Sequence, residues 1–174
     1  MMKRLLTVIC LVLCGCRTPD VSQYANLKPG LDLEHYFIGH TDAYGMFQKR
    51  DGTLVKRFHV VITGTKKDDS LILDEQFSYD DGTHQQRIWT LTRDAQHRWH
   101  GKAADVTDEA IGEIAGNTLH WQYGLLLPVD GSDWNMHFDD WMYLVDDNVM
   151  INRASMSKWG IELGQVTLFF VKKS

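Results

Sequence analysis

Two adjacent carboxylates, Asp139 and Asp140, form a pair of side chains that could carry chemistry. Two close carboxylates can bind a cation or divide the roles of general acid and general base. The apolar residues around them alternate as in a β-strand, in which consecutive side chains point to opposite faces. The two carboxylates therefore cannot act as a dyad with each other. The alternation places Asp140 on the more apolar face, where we expect it to pair with Arg153 across a hairpin.

A second pair, Glu75 and Arg87, carries opposite charges on two alternating segments that flank a turn signal. A turn at residues 80–83 that sets Tyr79 opposite Gln85 makes the two charged residues diagonal neighbours on one otherwise apolar face. A carboxylate and a guanidinium together can be accommodated in an interior that excludes either one alone. A register slipped by one residue would instead leave both groups in water.

Small residues come before two further polar side chains, Asp105 and Asn117. Inside a β-structure, small residues such as Gly101 and Ala103 leave either a cavity or a close crossing of two backbones. Both alternatives are open at this point. The candidate polar residues of the interior are Glu75, Arg87, Asp105, Asn117, Asp140 and Arg153.

Several classes of site find no support in the sequence. The eight histidines are scattered, no Gly-x-Ser-x-Gly motif is present, and the three cysteines all lie within the first sixteen residues. We therefore predict no catalytic residue, no metal site and no cofactor. The net charge of −5 has the wrong sign for a phosphate backbone, so nucleic acid is not expected as a partner.

The elements that must position these residues are predicted to be β-strands. From residue 31 onward the apolar pattern has period two, and turn residues recur every eight to fourteen positions. So many successive hairpins must close into a barrel or fold as a sandwich, and we prefer an antiparallel, up-and-down barrel of 8–10 strands. The strands are predicted at residues 44–47, 54–63, 71–79, 85–93, 98–104, 118–129, 134–145, 149–156 and 162–172, after a short helical turn at residues 33–37.

Tryptophan is abundant in this pattern, with six residues in the chain. Trp89 and Trp121 share faces with leucines, so they either fill the core or line a cavity that suits an acyl chain. The candidate ligand-lining residues are Trp89, Trp121, Gly101 and Ala103.

The first residues of the chain have the pattern of an export signal. Lys3 and Arg4 precede a nine-residue apolar run, which is too short to span a bilayer. The sequence at its end, residues 13–16, resembles the bacterial lipobox. That resemblance implies cleavage before Cys16, acylation of Cys16 and a stable membrane anchor. An ordinary secreted protein with a cysteine near its cleavage site is the alternative.

The chain divides accordingly into a signal peptide at residues 1–15, a tether at residues 16–30 and a single barrel domain at residues 31–174. Arg17 follows the lipobox cysteine, where enteric lipoproteins retained in the inner membrane tend to carry aspartate. We therefore expect a lipid-anchored protein of the bacterial outer membrane that faces the periplasm.

Several sequence blocks occur together in the predicted barrel region: residues 45–47 with 50–52, 75–79 with 81–82, 87–89, 101–106, 116–123, 138–143 and 151–160. In this combination the chain resembles the DUF3833 family of proteobacterial lipoproteins. The late pattern Asp-Asp-Trp-Met-Tyr followed by Asn-Arg-Ala is the most specific part of the match. The resemblance implies a periplasm-facing lipoprotein with a lipocalin-like barrel, and it assigns no activity.

These observations favour a non-enzymatic, membrane-anchored envelope lipoprotein that binds or shields an apolar ligand such as a lipid or a fatty-acid derivative. A lipid-modifying enzyme with a buried centre of carboxylates and arginine is one alternative. A structural lipoprotein with a filled barrel is another. The state of the interior discriminates among the three, because they require an apolar cavity, a wet cavity with converging carboxylates, and a filled core, respectively.

Overall fold

The computed structural model describes residues 19–129 and 131–173 of the chain. The predicted signal peptide at residues 1–15 and the predicted lipidation site, Cys16, lie outside the described residues. Within them, no helix is both long enough and apolar enough to cross a bilayer.

Ten antiparallel strands close into one barrel, which confirms the predicted all-β class. Every strand pairs with its neighbours in the chain, and the last strand pairs with the first, so the topology is up-and-down. The strands are β1 (Gly39–Lys49), β2 (Leu54–Lys67), β3 (Ser70–Tyr79), β4 (His84–Arg93), β5 (Trp99–Lys102), β6 (Ala110–Ala115), β7 (Thr118–Val129), β8 (Ser132–Leu144), β9 (Val149–Lys158) and β10 (Ile161–Lys172).

Strand β6 is absent from the predicted strands. It has six residues, and its two buried inward positions are the small residues Ala110 and Gly112. Two small residues give little of the apolar alternation by which a strand is recognised in a sequence. Hydrogen-bonded pairing with β5 and β7 holds these residues in a strand, although their own sequence gives little indication of one.

The register of the β3–β4 hairpin differs by two residues from the predicted register. Phe77 faces Gln85, and the backbone N–H of Tyr79 donates to Thr83 O at 2.9 Å, so Tyr79 already belongs to the turn. Glu75 and Arg87 are therefore directly opposite each other, and the prediction that they are diagonal neighbours is wrong. The shift is two residues, and since side chains alternate with period two, each residue keeps its predicted face.

A short helix, α1 (Leu33–Phe37), covers one end of the barrel. Leu33, Tyr36 and Phe37 are buried, and Tyr36 Oη donates to the backbone oxygen of Asn148 at 3.0 Å. Lys172 Nζ donates to Tyr36 O at 3.0 Å from the end of β10. These bonds fix the helix on the barrel, so this end is closed.

The segment before α1 packs against the outside of the barrel. Residues Val21–Tyr24 form one 3-10 turn, in which Val21 is buried. The Tyr24 ring lies 5.9 Å from that of Trp141, and Leu31 N donates to Gly116 O at 2.8 Å. The described part of the predicted tether is thus docked on the barrel near β6 and β7.

Candidate ligand-binding cavity

A cavity of about 690 Å³ occupies the interior of the barrel. Leu33 and Phe37 of α1 form its floor, and the exposed residues Val55, His84 and Pro128 line it at the opposite end. Cavities of roughly 300 to 1,000 Å³ are typical of small-molecule sites. The barrel is therefore not filled by its own side chains, and the cavity is open at the end away from α1.

Aromatic rings form one wall of the cavity. The ring of Trp89 lies 6.0 Å from that of Trp121 and 5.4 Å from that of Tyr123, in both cases nearly edge to face. Tyr123 in turn stacks parallel to Phe138 at 5.3 Å. All four rings line the cavity. Such a wall offers a large apolar contact area that loses little side-chain freedom on binding.

Gly101 and Ala103 do not line the cavity, so placing them among the ligand-lining candidates is wrong. A Cβ atom at Gly101 would lie 2.5 Å from Cζ2 of Trp121, and one at Gly112 would overlap the same ring. Neither of the two alternatives is adopted at these glycines, because a side chain, the Trp121 ring, fills the space beside them. The absence of side chains allows Trp121 to lie flat against β5 and β6, and Ala103 packs against the core cluster.

Arg87 is held by Asp105 inside the barrel. Its Nε donates to Oδ1 and Oδ2 at 3.1 and 2.9 Å, and its Nη2 donates to Oδ2 at 2.7 Å. The carboxylate of Glu75 lies farther away, at 4.0 Å from Nη1. Asp105 belongs to the β5–β6 loop, which is fixed on β7 by a bond from Leu126 N to Asp105 O at 2.8 Å. The main partner of Arg87 thus comes from a loop.

Glu75 is 14% exposed and lines the cavity. Burial raises its pKa to about 7; the nearby Asp105 adds to the rise, while Arg87 opposes it. A buried carboxyl that is only partly compensated by a cation prefers its neutral form.

Asp140 is 5% exposed and faces the cavity from β8, which is the orientation predicted from the alternation. Tyr123 Oη donates to its Oδ2 at 3.1 Å. Its second oxygen, Oδ1, has no hydrogen-bond partner among the described residues. Burial raises the pKa of Asp140 to about 7, against the effect of the Tyr123 bond, and raises the pKa of Tyr123 well above its usual range.

Arg153 does not pair with Asp140, and the prediction of an interior arginine at this position is wrong. On β9, Ala154 faces Asp140, and Arg153 faces Trp141 on the outer side of the barrel. There the guanidinium donates to Gln165 Oε1 at 3.0 and 3.3 Å. Consecutive residues of a strand point to opposite faces, so Arg153 cannot share the inner face with Ala154.

Asn117 is partly buried but lies in the β6–β7 turn at the end of the barrel. Its Nδ2 donates to Leu144 O at 2.9 Å, and its Oδ1 accepts a bond from Thr118 Oγ1 at 3.0 Å. Asn117 is not among the residues that line the cavity. Its two bonds indicate a structural role in this turn.

Two cavity residues, Asn152 and Tyr123, are missing from the predicted site. Asn152 is 1% exposed, lines the cavity, and has no partner for either its Oδ1 or its Nδ2 among the described residues. The alternation Met150, Asn152, Ala154 of β9 is the signal that could have identified it. Within the same described residues, no three His, Cys, Asp or Glu side chains are grouped as metal ligands would be.

Solved structures with a similar fold include the S-type phycobiliprotein lyase CPES from Guillardia theta. That match has a TM-score of 0.61 at 9% identity and covers 90% of this chain and 99% of the other. A protein of unknown function from the DUF3598 family of Nostoc punctiforme matches with a TM-score of 0.59 at 9% identity, over 84% of this chain and 51% of the other. At such identities the likeness concerns the fold.

No curated protein matches the chain by sequence. A family match does exist, and it extends from residue 10 to residue 172, which includes all ten strands. It agrees with the resemblance carried by the sequence blocks around Asp140 and Asn152. The chain belongs to the family described as DUF3833, protein of unknown function.

Proposed function

We propose that this protein is a non-enzymatic binding protein of the cell envelope, whose barrel holds an apolar molecule such as a lipid or a fatty-acid derivative. The observation that carries the proposal is the cavity of about 690 Å³, closed by α1 at one end and open at the other. Its lining is predominantly apolar, with a small number of polar side chains, as is usual for sites that bind small organic molecules.

The expected affinity follows from the apolar area that such a ligand would bury. Each buried methylene contributes about 0.8 kcal/mol, so a chain of ten contributes on the order of 8 kcal/mol before the cost of ordering is subtracted. A free energy of about 8 kcal/mol corresponds to a dissociation constant near 1 μM. The ordering cost makes the net free energy smaller than this, so we expect simple alkyl chains to bind with micromolar or higher dissociation constants and the natural ligand to bind more tightly.

The proposal includes a lipid anchor on Cys16 and a location at the outer membrane, facing the periplasm. Its support is the lipobox-like sequence together with the short distance to the barrel. Four residues, 17–20, separate Cys16 from Val21, which is already packed on the barrel. At about 3.5 Å per extended residue, such a connection would keep the barrel within roughly 20 Å of the membrane.

A lipid-modifying enzyme is the second candidate function, and one observation favours it. Two carboxyl groups, Glu75 and Asp140, line the same cavity, and burial raises the pKa of each to about 7. Groups with such pKa values are suited to general acid–base catalysis at neutral pH.

The test of the proposed function is to identify what the protein carries. The full chain is purified in mild detergent from the cells that produce it, and the bound molecules are extracted and weighed by mass spectrometry. We expect one apolar species in near-stoichiometric amount, returned unchanged after incubation with the protein. A purified protein with an empty cavity would contradict the proposal, and conversion to a new mass that requires Asp140 would favour the enzyme.

A further inference from the structure

Two acidic side chains, Glu75 and Asp140, line the cavity together with the basic side chains Lys56, His84 and Arg87. Arg87 is engaged by Asp105 through three donor contacts of 2.7 to 3.1 Å, so this pair is close to neutral. Lys56 also lines the cavity, but its Nζ lies 2.9 Å from Asp81 at the open end. Asp140 thus has no ion pair among the described residues, and Glu75 has only the 4.0 Å contact with Arg87 Nη1. An ionised pair of this kind attracts a positive charge into a site of low dielectric constant.

Unsatisfied hydrogen-bonding atoms lie beside one of these carboxyls. Asp140 Oδ1 and both polar atoms of the Asn152 side chain lack partners among the described residues, and both residues are at least nine-tenths buried. Asp140 faces Ala154, and Asn152 is two positions farther along the same face of β9, so the two are diagonal neighbours. Diagonal side chains across a strand pair are separated by roughly 7 Å, so one small polar group can bridge the two once these buried side-chain atoms turn toward it.

Resting on the binding function proposed above, we propose that the ligand is a long-chain amphiphile with a primary ammonium group, which lies between Asp140 and Asn152. An ammonium has three donors and no acceptor. One donor would reach Asp140 Oδ1 and another Asn152 Oδ1, while the chain would lie along the wall formed by Trp89, Trp121, Tyr123 and Phe138. A carboxylate head at this position would instead meet the carboxyl of Asp140, which makes a free fatty acid the least favourable of the simple amphiphiles.

The test compares head groups on one chain length with the full-length protein. Decylamine, decanol and decanoate are titrated at pH 8 and below their micelle concentrations, with tryptophan fluorescence as the readout. At this pH both carboxyls are ionised, because burial raises their pKa values only to about 7. We expect decylamine to bind at least about tenfold more tightly than decanol, and decanoate to bind most weakly. Equal or tighter binding of decanoate would overturn the assignment.

Decyltrimethylammonium separates charge from hydrogen bonding, since it is a cation without an N–H donor. We expect it to bind more weakly than decylamine. Equal binding of the two cations would overturn the assignment of donors to Asp140 and Asn152.

Two adjacent substitutions provide a matched pair of variants. Asp140→Asn should lower the decylamine affinity by about tenfold and leave that for decanol unchanged. Asp139→Asn makes the same change of charge on the outer face, where Asp139 is bonded to His120 Nε2 at 3.1 Å. This variant should change neither the affinity for decylamine nor the affinity for decanol. An equal effect of both variants would show that the preference comes from the net charge of the protein and would overturn the proposal.

A second inner variant tests the other proposed contact of the head group. Asn152→Leu removes a buried amide without partners, so it should fold and still weaken decylamine binding. Unchanged binding in this variant would count against the proposed position of the head group. The outcomes are distinguishable: if none of the three decyl compounds binds, the proposed function fails, whereas equal binding of all three overturns the head-group assignment alone.

Discussion

Arg87 donates hydrogen bonds to both carboxylate oxygens of Asp105, over distances of 2.7 to 3.1 Å. The two residues belong to different elements, since Arg87 lies on β4 and Asp105 in the loop after β5. Each is less than a quarter exposed. The pair therefore ties this loop to the barrel interior and leaves Glu75 with a longer contact to Arg87, at 4.0 Å.

Removal of the Asp105 carboxylate should destabilise the barrel. Asp105→Ala leaves the guanidinium of Arg87 buried without its closest partner, and breaking a buried pair costs about 3 to 5 kcal/mol. Glu75→Gln should cost less, because Glu75 lies 4.0 Å from Arg87 and its own charge is disfavoured by burial. Urea unfolding of both variants measures the difference. A larger loss for Glu75→Gln would contradict this assignment of partners.

A methyl group at Gly112 should displace the Trp121 ring. A Cβ at this position would overlap the ring, and overpacking typically costs about 1 to 3 kcal/mol. Gly112→Ala is expected to lower the melting temperature and to change the near-ultraviolet circular dichroism of the tryptophans. Gly30→Ala is the control, since a Cβ there has open space around it. Similar melting temperatures for the two variants would show that Trp121 does not pack against β6.

The stability of the protein should depend on the protonation of Asp140. Its pKa rises from 3.8 to about 7 in the folded state, so the folded form holds this proton more tightly than the unfolded chain. The resulting stabilisation is present below about pH 4 and is lost as the pH rises to about 7. Asp140→Asn removes this loss. Since one pKa unit corresponds to about 1.4 kcal/mol, the free energy of unfolding of this variant at pH 8 should exceed that of the natural protein by roughly 2 kcal/mol or more.

Asp139 provides a control of opposite sign for that measurement. Its bond from His120 lowers the pKa of Asp139, so this carboxylate stabilises the fold at neutral pH and loses its contribution as the pH falls. Asp139→Asn should therefore be less stable than the natural protein at pH 8. If both variants differed from the natural protein in unfolding free energy with the same sign at pH 8, the placement of the two carboxylates on opposite faces would be contradicted.

Processing at Cys16 is tested by Cys16→Ser. A lipoprotein precursor without this cysteine should stay unlipidated and uncleaved, because acylation of the cysteine precedes cleavage. Membrane fractionation and the mass of the protein report both steps. A variant of mature size that still fractionates with the outer membrane would rule out the lipid anchor.

Much of the barrel could be predicted from period-two alternation, because burial of one face imposes it directly on the sequence. This alternation placed Trp89, Trp121 and Asp140 correctly on the inner face of the barrel. Applied to β9 as well, the same alternation would have placed Asn152 inside and Arg153 outside. The bond between Arg87 and Asp105 lies beyond such reasoning, since it depends on how the β5–β6 loop folds back onto β7.

The central claim is that the barrel is a binding cavity, and titration of the full chain with decanol while following tryptophan fluorescence tests it most directly. Trp89 and Trp121 line the cavity, so an alkyl chain that enters it must change their surroundings. Saturable, micromolar binding is expected, and it should be lost in Ala154→Phe, which adds bulk inside the cavity, but not in Ile111→Phe on the exposed outer face. No change in fluorescence or melting temperature up to the solubility limit would contradict the claim.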